Sequence, residues 1–181
     1  LTIPNIIALL RLVAVPFVIL LMIEDRMDLA FLLFVAAGIS DAVDGIIARH
    51  FDQMSELGAY LDPIADKALL MSIYGTLGYL GVIPAWLVVL VFSRDVLIVG
   101  GVVLSWIVGR PVAIEPLMIS KANTAAQIAV AALVLAVLAF DWDVPVLVAL
   151  GTVVVAVLTI TSAGAYLVSW ARHMGEPAGR E

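Results

Sequence analysis

Four carboxylates define the chemistry open to this chain. Asp41 and Asp44 are followed by Gly45, Ala48 and Arg49, then by Gly58, Asp62 and Asp66. On a helix turning about 100° per residue, Asp41, Asp44, Gly45 and Ala48 fall within about 100° on one face. Gly58, Asp62 and Asp66 recur at i, i+4 and i+8, a second narrow stripe. One short polar turn, residues 50–55, separates the two segments. An antiparallel hairpin would therefore point all four acids into one cleft, where the small residues leave room for a ligand or a neighbouring backbone. Two carboxylates ~6 Å apart repel by roughly 3 kcal/mol at an effective dielectric of 20. Either several are protonated or cations neutralise them. An all-oxygen donor set suits Mg²⁺, Mn²⁺ or Ca²⁺ rather than zinc. Two divalent ions would balance four carboxylates, and such a pair is suited to phosphoryl chemistry. On the same electrostatic reasoning, removing one crowded acid should leave the protein well folded.

The elements that must carry these acids are membrane helices. Of 181 residues, 64% are hydrophobic and 13% charged, and the mean hydropathy is +1.18. A soluble chain of this size has no place to hide so much apolar surface, because its outer helix faces must be polar. With Lys+Arg 9 against Asp+Glu 15 the net charge is -6, and no basic stripe for nucleic acid exists. The absence of cysteine excludes disulfides and thiol catalysis. Six apolar stretches, each near the ~20 residues that span a bilayer, fall at about 3–23, 29–49, 56–80, 84–108, 120–140 and 146–170. The expected fold is an all-α integral membrane protein, an antiparallel bundle of six transmembrane helices forming one domain over 1–181. Alternation of the kind a β-barrel needs is absent. The first stretch carries Arg11 mid-run and lacks a basic leader and a small-residue cleavage site, so it reads as a retained helix rather than a signal peptide. Arg49, Arg110, Lys121, Arg172 and Arg180 fall on one side, Arg26 alone on the other. Both termini, and the acids, then face the cytoplasm or its organellar equivalent.

The order Asp41-x2-Asp44-Gly45-x2-Ala48-Arg49-x8-Gly58-x3-Asp62-x3-Asp66 resembles, at every position, the signature of the CDP-alcohol phosphotransferase family. Pro4-Asn5 with Arg11 is similar to that family's opening pattern, and Leu61-Asp62-Pro63-Ile64-Ala65-Asp66-Lys67 to its "LDPxADK" form. The resemblance implies a membrane enzyme that transfers a substituted phosphate from a CDP-linked donor to an alcohol and releases CMP. It implies two divalent ions, Mg²⁺ or Mn²⁺, held by Asp41, Asp44 and Asp62, with Asp66 reaching the metals and acting as general base. It further implies that Asn5, Gly45, Ala48, Arg49 and Gly58 receive the CDP group of CDP-diacylglycerol, and that the protein is a homodimer. Ser93-Arg94-Asp95-Val96 and Ile119-Ser120-Lys121-Ala122-Asn123-Thr124 look like the mitochondrial-type, CMP-forming cardiolipin synthases. That likeness places Arg94 and Lys121 at the acceptor phosphate and favours phosphatidylglycerol as acceptor. Glycerol 3-phosphate, the acceptor of phosphatidylglycerophosphate synthases, is the alternative. The implied location is the bacterial or mitochondrial inner membrane, with the site on the cytoplasmic or matrix leaflet.

Blander readings stand beside these. Arg94 could cross the bilayer by pairing with an acid, and Lys121 could snorkel. Trp86, Trp106, Trp142 and Trp170 lie near span ends and read as interfacial anchors. A divalent-cation carrier or channel subunit would also hold intramembrane acids, but would spread them along several helices or near the midplane. An assembly protein gives no reason for four acids at these spacings.

Overall fold

The computed structural model describes the backbone of residues 3–51, 56–109 and 118–175, and the side chains of 6–41, 64–109, 118–172 and 174. Six helices follow in order: α1 Ile3–Ile23, α2 Met27–Phe51, α3 Glu56–Tyr79, α4 Ala85–Ile107, α5 Met118–Ala139 and α6 Pro145–Gly175. Their ends follow the apolar runs closely. The exception is α6, which passes the last tryptophan because Ala171 to Met174 contain nothing that breaks a helix.

Three of the connections are tight, and local chemistry makes them so. Behind α1, Asp25 takes a left-handed conformation (φ 61) while Asp25 N–H bonds Met22 C=O and Arg26 N–H bonds Leu21 C=O. This is the 5→2 and 6→1 pairing that satisfies carbonyls at a helix end. Gly81 (φ 72) repeats it after α3, and Asp141 (φ 52) occupies the same left-handed position after α5, where Trp142 N–H reaches Val137 C=O. Glycine and aspartate are among the residues that accept this backbone region at least cost. Each such turn reverses the chain and returns the next helix beside the last.

Packing is not simply sequential. α1 lies against both α2 and α3, while α5 lies against α2, α3 and α6, and α4 against α6 and α3. Among the described residues α2 and α3 make no close backbone contact with each other. Over their described parts α1 packs against both helices; the ends that would form the expected hairpin, residues 42–63, carry side chains outside the described residues. Val18, Met22, Ala30, Phe34, Ile73, Tyr74, Leu77, Leu87, Val91, Val134, Leu135 and Val155 fill the interior. Outward faces are equally apolar, with Leu10, Phe17, Leu32, Val89, Val96, Val146, Val157 and Ile160 all exposed. Helices that are hydrophobic all round belong in lipid. Among the described residues, four stretches, Ile6–Ile23, Ala85–Ile107, Met118–Ala139 and Pro145–Arg172, are long and apolar enough to cross a membrane. The chain is an all-helical membrane protein.

Candidate active site

Asp41 is ten residues from the end of α2, Asp66 ten from the start of α3 and Arg11 eight from the start of α1. At 1.5 Å rise per residue, all three lie roughly 12–15 Å in from the same end of the bundle. There they meet. Arg11, whose side chain is 3% exposed, sends Nη2 to Asp41 Oδ1 at 2.6 Å and Nη1 to Asp66 Oδ1. The two carboxylates are 47% and 49% exposed, so one guanidinium buried in α1 holds two half-open acids from α2 and α3. Among the described residues this cluster holds two carboxylates on one guanidinium.

A cavity of about 670 Å³ opens beside it. Asp41, Asp66 and Arg11 give its polar end, together with Lys67, while Phe34, Val35, Leu69, Leu70 and Ile128 form apolar walls. Of the residues expected to line the cleft, the cavity touches Asp41 and Asp66, and α1 and α5 supply further walls. Its composition matches a ligand with a charged head and an apolar body.

The other expected site residues divide into two groups. Asp44, Gly45, Ala48 and Arg49 belong to α2, Gly58 and Asp62 to α3, and Asn5 to α1; their side chains lie outside the described residues. Arg94 and Lys121 are described, and neither lines the cavity. Lys121 is exposed on the first turn of α5. Arg94 is buried and fully engaged. Its Nη1 bonds Asp95 Oδ1 at 2.5 Å, Nε and Nη2 donate to Ser162 Oγ at 3.3 and 2.9 Å, and Nη2 also donates to Ser120 Oγ. The guanidinium carbon lies 5.8 Å from the Tyr166 ring centroid, within cation–π range. Asp95 Oδ2 accepts from Lys67 Nζ at 2.6 Å. One carboxylate thus joins α3 to a polar knot tying α4, α5 and α6.

Sequence reasoning missed two participants. Arg11 was noticed as a charge in an apolar run but given no task, although a cation at that depth must find an anion. Lys67 was quoted inside its motif and likewise left without one. Trp170, expected as an interfacial anchor, donates Nε1–H to Ser105 Oγ at 2.8 Å and so fastens α6 to α4.

The donor chemistry fits a divalent cation. Asp41 and Asp66 present hard carboxylate oxygens to an open cavity, the type Mg²⁺ and Mn²⁺ select. Among the described residues no cluster of three or more such ligands forms, Asp44 and Asp62 lying outside them.

Comparison with known proteins extends over the same residues. The CDP-alcohol phosphatidyltransferase family model matches residues 1–168. A Homo sapiens protein named cardiolipin synthase (CMP-forming) is 34% identical over 157 residues, covering 78% of this chain and 52% of the relative. A probable cardiolipin synthase (CMP-forming) of Drosophila melanogaster is 35% identical over 144 residues, covering 71% of this chain and 45% of its own length. A probable phosphatidylglycerophosphate synthase of Mycobacterium tuberculosis is 39% identical over 97 residues, covering 50% and 46% respectively. The chain spans about half the length of these curated relatives. With the acids of two helices gathered on a lipid-depth cavity and the family model matched along nearly its whole length, the chain belongs to the CDP-alcohol phosphatidyltransferase family.

Proposed function

We propose that this protein is a phospholipid-synthesising enzyme that moves the phosphatidyl group of CDP-diacylglycerol onto phosphatidylglycerol, forming cardiolipin and releasing CMP. The observation that carries the reading is the convergence of Asp41 and Asp66, from two helices, on an apolar-walled cavity 12–15 Å or so below the helix ends. A charged reaction centre at that depth serves a substrate whose reacting phosphate is tethered to acyl chains. The names of the Homo sapiens and Drosophila relatives support the acceptor.

In this reading Asp41, Asp44, Asp62 and Asp66 hold two divalent ions, Mg²⁺ or Mn²⁺, which when bound neutralise the donor diphosphate and the departing CMP. Asn5, Gly45, Ala48, Arg49 and Gly58 receive the CDP group. Asp66 accepts the proton of the acceptor hydroxyl. The freed oxygen forms a bond to the phosphorus that bears diacylglycerol, and the anhydride oxygen leaves with CMP. The chain has no cysteine to serve as a covalent nucleophile, and transfer in this reading is direct. All six helices cross the membrane: α2 and α3, at 25 and 24 residues, are each roughly 36 Å long or more, and apart from Asp28 in the first turn of α2 their charges lie toward one end. Both termini are cytoplasmic or matrix-facing, in a bacterial or mitochondrial inner membrane, and the protein functions as a homodimer.

The test supplies purified protein in detergent with CDP-diacylglycerol, Mg²⁺ and one acceptor at a time. Cardiolipin formed with phosphatidylglycerol is the expected product. Phosphatidylglycerophosphate formed instead from glycerol 3-phosphate overturns the acceptor, an outcome the Mycobacterium relative makes worth measuring. Full turnover by Asp44→Ala in excess chelator overturns the metal role.

A further inference from the structure

The acceptor's phosphate needs a cation inside the cavity, and the two basic residues first expected to supply it are elsewhere. Arg94 has its side chain 3% exposed and each guanidinium nitrogen bonded to protein. Lys121 is exposed on the first turn of α5 and does not line the cavity. Arg11 lines it but is taken up by two carboxylates. That leaves Lys67. Its side chain is 38% exposed, it lines the cavity, and it follows Asp66 directly on α3.

We propose that Lys67 is the residue that contacts the acceptor's phosphodiester, and that Asp95 and Arg94 are positioning residues that hold it there. Charge supports this. Arg94 and Lys67 share the single carboxylate Asp95, one on each oxygen, so two cations and one anion leave one positive charge at the cavity wall. A phosphodiester carries one negative charge. Hydrogen bonding supports it as well: an ammonium has three donors, and Asp95 takes one. Asp95 is itself immobilised, because Arg94 is clamped by Ser120 and Ser162 from two further helices. The lysine is thus aimed by a chain of contacts running through α4, α5 and α6.

Reach supports it too. Residues 66 and 67 are about 3.8 Å apart at their Cα atoms and project about 100° apart around the helix. A phosphatidylglycerol headgroup places its free primary hydroxyl three carbons from its phosphate. Held at Lys67, that hydroxyl swings toward the neighbouring carboxylate of Asp66, which the proposed reaction uses as base. The polar end of the cavity then has an acidic side, around Arg11, for the donor and a cationic side, at Lys67, for the acceptor.

This inference rests on the proposed function, and the experiment separates the two. Wild type, Lys67→Gln and Lys67→Arg are compared in dodecyl maltoside micelles with Mg²⁺. KM is measured separately for CDP-diacylglycerol and for phosphatidylglycerol, and equilibrium binding of short-chain phosphatidylglycerol is measured without donor. Loss of one charge-assisted hydrogen bond predicts that Lys67→Gln raises the phosphatidylglycerol KM and Kd by about tenfold or more. The CDP-diacylglycerol KM should stay within about twofold, and Lys67→Arg should recover most of the loss. Asp95→Asn should raise the same acceptor KM by a smaller factor. An unchanged acceptor Kd in Lys67→Gln overturns the inference, as does a rise confined to the CDP-diacylglycerol KM. Wild type that makes no cardiolipin but uses glycerol 3-phosphate overturns the acceptor reading instead. The same variants measured with that acceptor then decide the role of Lys67.

Discussion

Replacing both Asp41 and Asp66 by asparagine strips the anionic partners from a guanidinium whose side chain is only 3% exposed. Crowded acids read from the sequence alone suggest that their removal relieves repulsion and leaves the fold unharmed. The structure reverses the sign. Arg11 already sits between Asp41 and Asp66, so these acids are the counter-charges of a buried cation. Removing one side of a buried pair costs about 3–5 kcal/mol. Because the acids are 47% and 49% exposed, water makes up part of the loss, and the lower end applies. Each asparagine still offers a carbonyl oxygen to the charged guanidinium, which recovers about 1 kcal/mol of the loss. The double variant should therefore lose about 2–3 kcal/mol.

Removing the cation instead is milder. Arg11→Met fills the same space with apolar atoms and leaves two half-exposed carboxylates that water can solvate. Their residual repulsion in a well-screened setting amounts to about 1 kcal/mol or less. Adding Arg11→Met to the double variant should restore stability to within about 1 kcal/mol of wild type, since no buried charge remains. The assay is SDS-induced unfolding from dodecyl maltoside, followed by tryptophan fluorescence. An Asp41→Asn/Asp66→Asn protein as stable as wild type refutes the reasoning. So does an Arg11→Met variant destabilised as much as that double.

Two neighbouring glycines of α3 should respond oppositely to alanine. At Gly78 an added Cβ would come 2.5 Å from Val88 Cγ2, and overpacking of about 1–3 kcal/mol outweighs the ~1 kcal/mol of helix propensity gained; at Gly75, where the nearest atom is 3.9 Å away, the same change should stabilise. Thermal unfolding reads both, and Val88→Ala should rescue Gly78→Ala. Trp170→Phe removes the donor to Ser105 Oγ and should lower stability by about 1 kcal/mol, with the matching coupling energy in a double-mutant cycle with Ser105→Ala. Direct transfer predicts inversion at a chiral donor phosphorus; retention, or a phosphatidylated protein trapped without acceptor, would establish a covalent intermediate.

What the sequence made legible, and what it did not, follows from the range of the forces involved. The helices were readable because a membrane span is a local property: an apolar run of the right length, ended by Asp25, Gly81 or Asp141, needs no knowledge of its neighbours. Asp41 and Asp66 stand out in the sequence because an acid in such a run is costly enough to demand a purpose, and the structure brings both to Arg11. The position of α1 was not readable. Hydrophobic helices in lipid are not sorted by apolar burial, since lipid tails are as apolar as leucine, and the sequence shows no stripe that says which helix lies beside which. Polar contacts make that choice. Arg11 has partners 30 and 55 residues away, and pairing with both holds α1 against α2 and α3. The same logic underlies the proposal of Lys67 as the acceptor cation. By residue type Arg94 was the natural anion binder, yet Asp95, the next residue, and Ser162, 68 residues on, occupy its donors and leave Lys67 facing the cavity. In this bundle the intramembrane charges therefore have two tasks at once. Among the described residues, the pairs that tie the helices together also leave a carboxylate-rich patch at Arg11 beside a cation-rich patch at Lys67, which is the charge pattern the proposed donor and acceptor would use.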